Sequence, residues 1–314
     1  MTPPSKLYIS ESDVHELIDM RGAIEALRNA FREQANDEAM NSPRARARYW
    51  GSRLNIMSAG LKSGRFGFKA YAGTNAPTVY HVMLYDAAHG HIAIIEARRL
   101  SRLRTGAATG LATDLLAKTG PIRLAMIGAG EQARTQLAAV AAVRELKSIS
   151  IYARNQEKLR AFCDAAAEEL DLNIQPARSG EECLANADVV ITATDSQTPV
   201  VRDGWLPTDV HINTIGANAA NRMELETATF ARADFVVTDD IEQARIEAGE
   251  IINCVQEGSL RWETIARIAD IVAAPAPMRA GLTIFKSLGA AIEDIAVAGA
   301  IYDRALAQGR GQIL

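Results

Sequence analysis

An α/β fold is predicted for this chain: a doubly wound parallel sheet in the second half, preceded by a smaller α+β part. Three observations predict it. From about residue 119 onward, short apolar runs alternate with amphipathic helical stretches. The first of those runs leads straight into a glycine-rich turn. Residues 45–98, by contrast, read as short strands broken by Gly, Asn and Asp, with no helix between them.

The composition is compatible with this fold. The 314 residues suffice for one large or two moderate domains. Hydrophobic residues at 48% and charged residues at 23% exclude a disordered or collagen-like chain. The formal charge of -4 gives no general basic field, so no nucleic-acid partner is expected. The three cysteines are scattered and share no metal-ligand spacing, and His89 and His91 lack an HExxH context, so neither disulfide nor metal is expected. The first twenty residues lack a basic stretch followed by an apolar one, and no run of about 18 apolar residues occurs. No membrane span is expected, and a cytoplasmic protein is.

Taking the elements in order, Val14, Leu17, Ile18, Ile24, Leu27 and Phe31 recur at helical spacing, which predicts a helix capped by Ser12 or Asp13. The strand-like runs of residues 45–98 predict an antiparallel meander. Residues 102–118, rich in Ala and other small residues, predict a helix that something approaches closely. Strands are then expected in Arg123–Ala129, Ser148–Ala153, Asn173–Ala177, Asp188–Thr194, His211–Ala217 and Asp234–Asp240, with helices around 132–144, 155–169 and 180–186. The order fits a Rossmann-type sheet. The last segment holds one short strand and a long Ala-rich helix. The expected domains are 1–118, completed by the helix 290–314, and 119–289.

The chemistry begins at Gly128-Ala129-Gly130-Glu131-Gln132-Ala133, which follows the strand Leu124–Ile127 and opens a helix. In that context, Gly128 permits a tight turn, Gly130 lets the backbone approach a pyrophosphate, and Ala133 allows close helix packing. Glu131 and Gln132 complete the cofactor loop. An NAD binder usually carries an acid at the end of the second strand, to bind the ribose hydroxyls. Here Ala153-Arg154-Asn155 ends that strand, and Arg154 suits a 2′-phosphate with support from Asn155 or Lys158. The reading favours NADP(H), with NAD(H) as the alternative. Asp239-Asp240 reads as a helix cap, and His81 as a sheet residue.

These motifs, taken together, resemble those of the ornithine cyclodeaminase/mu-crystallin family. The resemblance rests on Arg104-Thr105-Gly106-Ala107-Ala108-Thr109, the loop Ile127–Arg134, the strand Ala187–Thr194, Glu224-Leu225, and Thr283–Gly289 with Glu293-Asp294. It implies a Rossmann domain with a nicotinamide cofactor, and a second domain that binds substrate and forms a homodimer. It implies that Arg44, Lys69 and Arg104 hold the carboxylate of an α-amino or α-imino acid, with Lys69 also able to donate a proton. It further implies that Thr194, Asn213, Thr214 and Ile215 line the nicotinamide side, with Arg222 and Ser287 near it, and that Arg104 also contacts the cofactor. Lys286 and Ser287 equally read as capping or surface residues.

One departure bears on the reaction. Cyclodeaminases of the family carry an aspartate that moves protons where this chain has Asn218, and an acid where it has Asn55. An amide is no general base. The mu-crystallin-like ketimine reductases lack that aspartate too, and a preformed imine needs a carboxylate clamp and positioning more than a base. The expected activity is therefore reduction of an α-imino acid, cyclic or linear, with Lys69 and Asn218 as catalytic candidates. Pyrroline- and piperideine-2-carboxylate are examples of the cyclic class, and the reverse dehydrogenase direction is open in principle. Cyclodeamination with a recycled cofactor, or a non-catalytic nucleotide-binding protein, are the alternatives. Trp50, Asn55, Tyr71 and Asn75 are expected to shape the pocket for the rest of the substrate.

Overall fold

The computed structural model describes residues 5–275 and 281–314; the first four residues of the N-terminal stretch lie outside it. The chain forms two compact units, residues 1–108 with 289–314 and residues 109–288. The division falls ten residues before the sequence boundary, inside a helix.

The first unit opens with β1 (Leu7–Ile9), α1 (Glu11–Leu17) and α2 (Met20–Ala35). The single helix expected here is two. Ile18 is extended, and Asp19 starts the second helix by accepting from Gly22 N–H. The cap of α1 is Ser10 rather than Ser12 or Asp13; Asp13 is its reciprocal partner in a capping box. The chain then runs through β2 (Met40–Asn41), β3 (Ala45–Tyr49), β4 (Ser52–Gly60), β5 (Arg65–Gly73), β6 (Tyr80–Asp86) and β7 (Gly90–Glu96), and enters α3 (Arg98–Leu116).

The second unit holds β8 (Ile122–Ile127), α4 (Ala133–Val143), β9 (Leu146–Tyr152), α5 (Gln156–Leu170), β10 (Ile174–Pro176), α6 (Gly180–Leu184), β11 (Val189–Thr192) and β12 (Val210–Thr214). It continues with α7 (Thr227–Ala231), β13 (Phe235–Thr238), α8 (Ile241–Glu247), α9 (Gly249–Gln256), β14 (Ala266–Arg267), α10 (Ile268–Ala273) and β15 (Leu282–Lys286). The first unit is completed by α11 (Ala291–Gln308) and β16 (Gln312–Ile313).

In the first unit the sheet order is β16-β1-β7-β6-β5-β4-β2, with β3 also on β4. The pairs from β2 to β7 are antiparallel, as the meander predicted, while β1 joins β7 in parallel. Strand periodicity divides β4 and β5 cleanly: Asn55, Met57, Gly67 and Lys69 are buried, whereas Leu54, Ile56 and Phe66 are exposed. The helix α11 packs on β4, β5 and β6.

The second unit is a parallel sheet ordered β10-β9-β8-β11-β12-β15-β13-β14, in which every pair is parallel. This is a doubly wound α/β sheet. Leu124, Met126, Val189 and Ile191 enter one core with Leu137, Val140 and Leu159; Ala125, Ile127 and Val190 enter another with Leu184 and Phe230. Helices cover both faces, which is why β8 and β11 read as continuous apolar runs. The sequence did not reveal that β15, last of these strands in the chain, lies between β12 and β13.

Candidate functional site

In the first unit, three cations from separate elements meet. Arg44 precedes β3, Lys69 lies on the buried face of β5, and Arg104 is on α3; all three are buried. Lys69 Nζ donates to Asp294 Oδ1 at 2.7 Å, and Arg104 Nε lies 3.0 Å from the same oxygen. Arg104 also donates to Glu293 Oε2 at 2.7 Å. Arg44 donates to the Gly289 carbonyl at 3.1 Å and packs its Nε against Met57 Sδ at 3.4 Å. Gly289 has φ +79°, and a Cβ there would lie 2.4 Å from the Arg104 guanidinium, so this corner needs glycine.

Burial, with Arg104 and Arg44 close by, pulls Lys69 from 10.5 down to about 7, although Asp294 opposes the shift. A lysine so tuned exchanges its proton near neutrality. Beside it on the sheet face, Asn55 Nδ2 donates to the Tyr71 carbonyl at 3.4 Å. Asn55 Oδ1 is buried and has no hydrogen-bond partner among the described residues. Trp50 and Asn75 are not with it. Trp50 sits fully exposed at the β3–β4 turn with φ +38°, and both residues line a surface pocket together with Arg48 and Arg53.

In the second unit the glycine loop leaves β8 as its sequence requires. Gly128 has φ +113°, and a Cβ would lie 2.4 Å from the Ala193 carbonyl. Gly130 is exposed with nothing within 4 Å of a Cβ position, so its backbone is open to a ligand. Ala133 is buried against the sheet. Gln132 starts α4 without capping it through its side chain, and Glu131 is exposed. An open glycine turn running into a helix N-terminus suits a pyrophosphate. The residues present therefore fit a dinucleotide.

At the end of β9, Arg154 and Lys158 are exposed. Asn155 is the cap of α5, its side chain accepting from Lys158 N–H at 2.9 Å. Asn213 and Thr214, expected to line the nicotinamide side, are both fully buried at the end of β12. Asn213 bonds to His211 and Thr113, while Thr214 Oγ1 donates to Glu224. Burial takes His211 down to about 3, which makes it a neutral core residue. Ile215 is buried, and Asn218 and Arg222 are half-buried in the loop that follows. Ser287 is buried, its hydroxyl 3.4 Å from Asp239 Oδ2. Lys286 is no surface residue: it is fully buried, 3.0 Å from Glu250 Oε2. Asp240 caps α8, while Asp239 accepts from Leu288 N–H at 2.7 Å.

Sequence reasoning missed the part played by Glu224. Its buried carboxylate accepts from Thr194 N–H at 2.7 Å and from Gly216 N–H at 2.7 Å, among other donors. The only signal was an acid placed just before a leucine in a motif, with no partner in the neighbouring sequence.

Comparison with known proteins agrees with this architecture. The Delta(1)-pyrroline-2-carboxylate reductase of Bacillus cereus is 35% identical over 235 residues, covering 73% of this chain and 72% of its own. The structure of the Thermococcus litoralis Delta(1)-pyrroline-2-carboxylate reductase, in complex with NADH and L-proline, superposes with a TM-score of 0.92 at 31% identity, covering 98% of this chain and all of that one. An archaeal alanine dehydrogenase dimer with bound NAD gives a TM-score of 0.90 at 30% identity, covering 99% of each chain. Residues 5–309 match the model of one family, and the chain belongs to it: the ornithine cyclodeaminase/mu-crystallin family.

Proposed function

We propose that this enzyme, a nicotinamide-dependent oxidoreductase of carbon–nitrogen bonds, reduces an α-imino acid, cyclic or linear, and takes its hydride from NADPH. The observation that carries the reading is the buried group of Arg44, Lys69 and Arg104, close enough together for the two arginines to depress the lysine. Buried cations of this kind suit a carboxylate, which an arginine fork grips in two places.

A nicotinamide cofactor held at the glycine turn Gly128–Ala133 would supply a hydride to the imine carbon. The electron pair of the C=N bond then moves to nitrogen, which takes a proton. Lys69, held near 7, is the donor, and Asp294 orients it. Arg44 and Arg104 hold the substrate carboxylate. Asn55 Oδ1 is left as an acceptor for a polar hydrogen of the substrate. Asn218 stands in the loop after β12 and contributes hydrogen bonds rather than a base. No acid that could play that part is found at position 55 or 218.

The preference for NADPH rests on Arg154, exposed at the end of β9 where an NAD binder carries an acid. The Thermococcus litoralis structure holds NADH and the archaeal alanine dehydrogenase holds NAD, so NADPH and NADH are the two cofactors to compare. No described helix is long and apolar enough to cross a membrane. The three cysteines are free, which suits the reducing cytoplasm where we place the enzyme. We also propose a homodimer through the outer face of the first unit's sheet. Leu54, Ile56 and Phe66 are exposed there, and Phe66 stacks on Tyr85 at 5.4 Å.

The test is oxidation of NADPH and NADH with a panel of cyclic and linear α-imino acids, with ornithine alongside. Turnover of an imino acid with preference for NADPH is expected. Ammonia release from ornithine without net cofactor oxidation would overturn the reading.

A further inference from the structure

Glu224 lies between α7 and the loop that leaves β12, and it has no exposed surface. Its Oε1 accepts from Thr194 N–H at 2.7 Å and from Thr194 Oγ1 at 2.8 Å. Its Oε2 accepts from Gly216 N–H at 2.7 Å, Ala217 N–H at 3.2 Å and Thr214 Oγ1 at 3.2 Å. Its own backbone is fixed as well. Glu224 N–H donates to Glu250 Oε1 at 2.8 Å, Glu250 is paired with Lys286, and the Glu224 carbonyl accepts from Val200 and Val201. One carboxylate thus joins the loop after β11 to the loop after β12. The junction is tight: a Cβ on Gly216 would lie 1.9 Å from the Thr194 carbonyl and 2.6 Å from Glu224 Oε1.

The sheet order shows what these loops face. The chain order reverses at β8, so the crevice of this sheet lies at the carboxyl ends of β8 and β11. The glycine turn after β8 takes the pyrophosphate, and Arg154 after β9 lies on the adenosine side. The other mononucleotide then lies over the ends of β11 and β12, where Glu224 holds the main chain. We propose that Glu224 is a positioning residue for the nicotinamide half of the cofactor, acting through the loops at Thr194 and Gly216. This rests on the dinucleotide reading above.

The geometry demands a carboxylate. Both oxygens face backbone N–H groups, which cannot turn away, so a glutamine would set its own N–H₂ against one of them. Loss of such a bond in a buried site weakens what it holds by about tenfold or more.

The experiment uses the full-length enzyme and its Glu224→Gln variant, with two ligands: the reduced cofactor and the matching ADP-ribose fragment, which lacks nicotinamide. The expected result is fragment binding within about twofold of the unaltered protein, reduced-cofactor binding and kcat each lower by about tenfold, and a changed emission of the bound reduced nicotinamide. Equal weakening of fragment and cofactor, or no change in either, would overturn the assignment. If Glu224→Gln fails to fold, Thr214→Val removes one hydroxyl donor at constant shape and must weaken the cofactor more than the fragment, by a smaller factor; equal effects on the two ligands, or none on either, overturn the proposal. Failure of the unaltered protein to bind either ligand would instead sink the dinucleotide reading, and this assignment with it.

Discussion

Lys69 Nζ lies 2.7 Å from Asp294 Oδ1 with both side chains buried, on elements 225 residues apart in the chain. The pair holds the lysine in place, while burial and the neighbouring arginines weaken its hold on the proton. Two measurable consequences arise, one for rate and one for stability.

If Lys69 donates the proton, imine reduction falls as pH rises through about 7, where the lysine loses it. Lys69→Met is expected to lower kcat by about 10²-fold or more and to remove that limb from the pH–rate profile. A profile unchanged in shape would count against the donor role.

The same shift sets a stability trend. In the unfolded chain Lys69 keeps its proton up to about 10.5, and in the folded one only up to about 7. Between these values the unfolded chain binds the extra proton, so the contribution of Lys69 to stability rises with pH across that window; the destabilisation is fully present below it. Urea unfolding of the native protein and of Lys69→Met, compared from neutral to alkaline pH, should show the slope difference.

Arg44→Ala removes a carboxylate clamp without touching the Lys69–Asp294 pair. The expected loss in kcat/KM is about 10²-fold, from a charge-assisted contact of about 1.5–3 kcal/mol, with the cofactor dissociation constant unchanged. Steady-state kinetics with cofactor titration checks it; a purely cofactor-side effect would contradict the assignment.

Arg154→Ala should cut NADPH affinity by about tenfold while leaving NADH nearly unaffected. Parallel titrations of the two reduced cofactors test this. Equal effects on both would remove Arg154 from the 2′-phosphate.

Lys286→Met leaves Glu250 buried without its cation and is expected to destabilise the protein by about 3–5 kcal/mol, measured by denaturant unfolding. Adding Glu250→Gln should restore most of that, since it removes the uncompensated buried charge and keeps an oxygen to accept from Glu224 N–H.

Much of this was legible in the sequence, for physical reasons. The strands of the parallel sheet announce themselves because burial on both faces forces unbroken apolar runs, as in Leu124–Ile127. The glycine loop is legible because a positive φ at Gly128 restricts the residue type. Arg44, Lys69 and Arg104 were singled out only through the family resemblance; in composition they look like Arg46 or Arg48, and the structure brings them together through Gly289–Asp294. What stayed hidden depended on partners far along the chain. Lys286 looks like a surface residue until Glu250 is set beside it, and Glu224 looks like any acid until Thr194 and Gly216 converge on it. The break between α1 and α2 was missed because Ile18 keeps the helical spacing while its backbone is extended.

The place of β15 also governs how the molecule is made. Because it lies between β12 and β13, the strands β13 and β14 cannot join the sheet until residues 282–286 have emerged from the ribosome. The first unit waits as well, since α11 is the helix on its sheet. Contacts of such long sequence separation slow folding and prolong the exposure of unpaired strand edges. Truncation before β15 should therefore leave an insoluble chain in place of a smaller folded one, and production of the protein should respond strongly to chaperones that shield nascent β-strands.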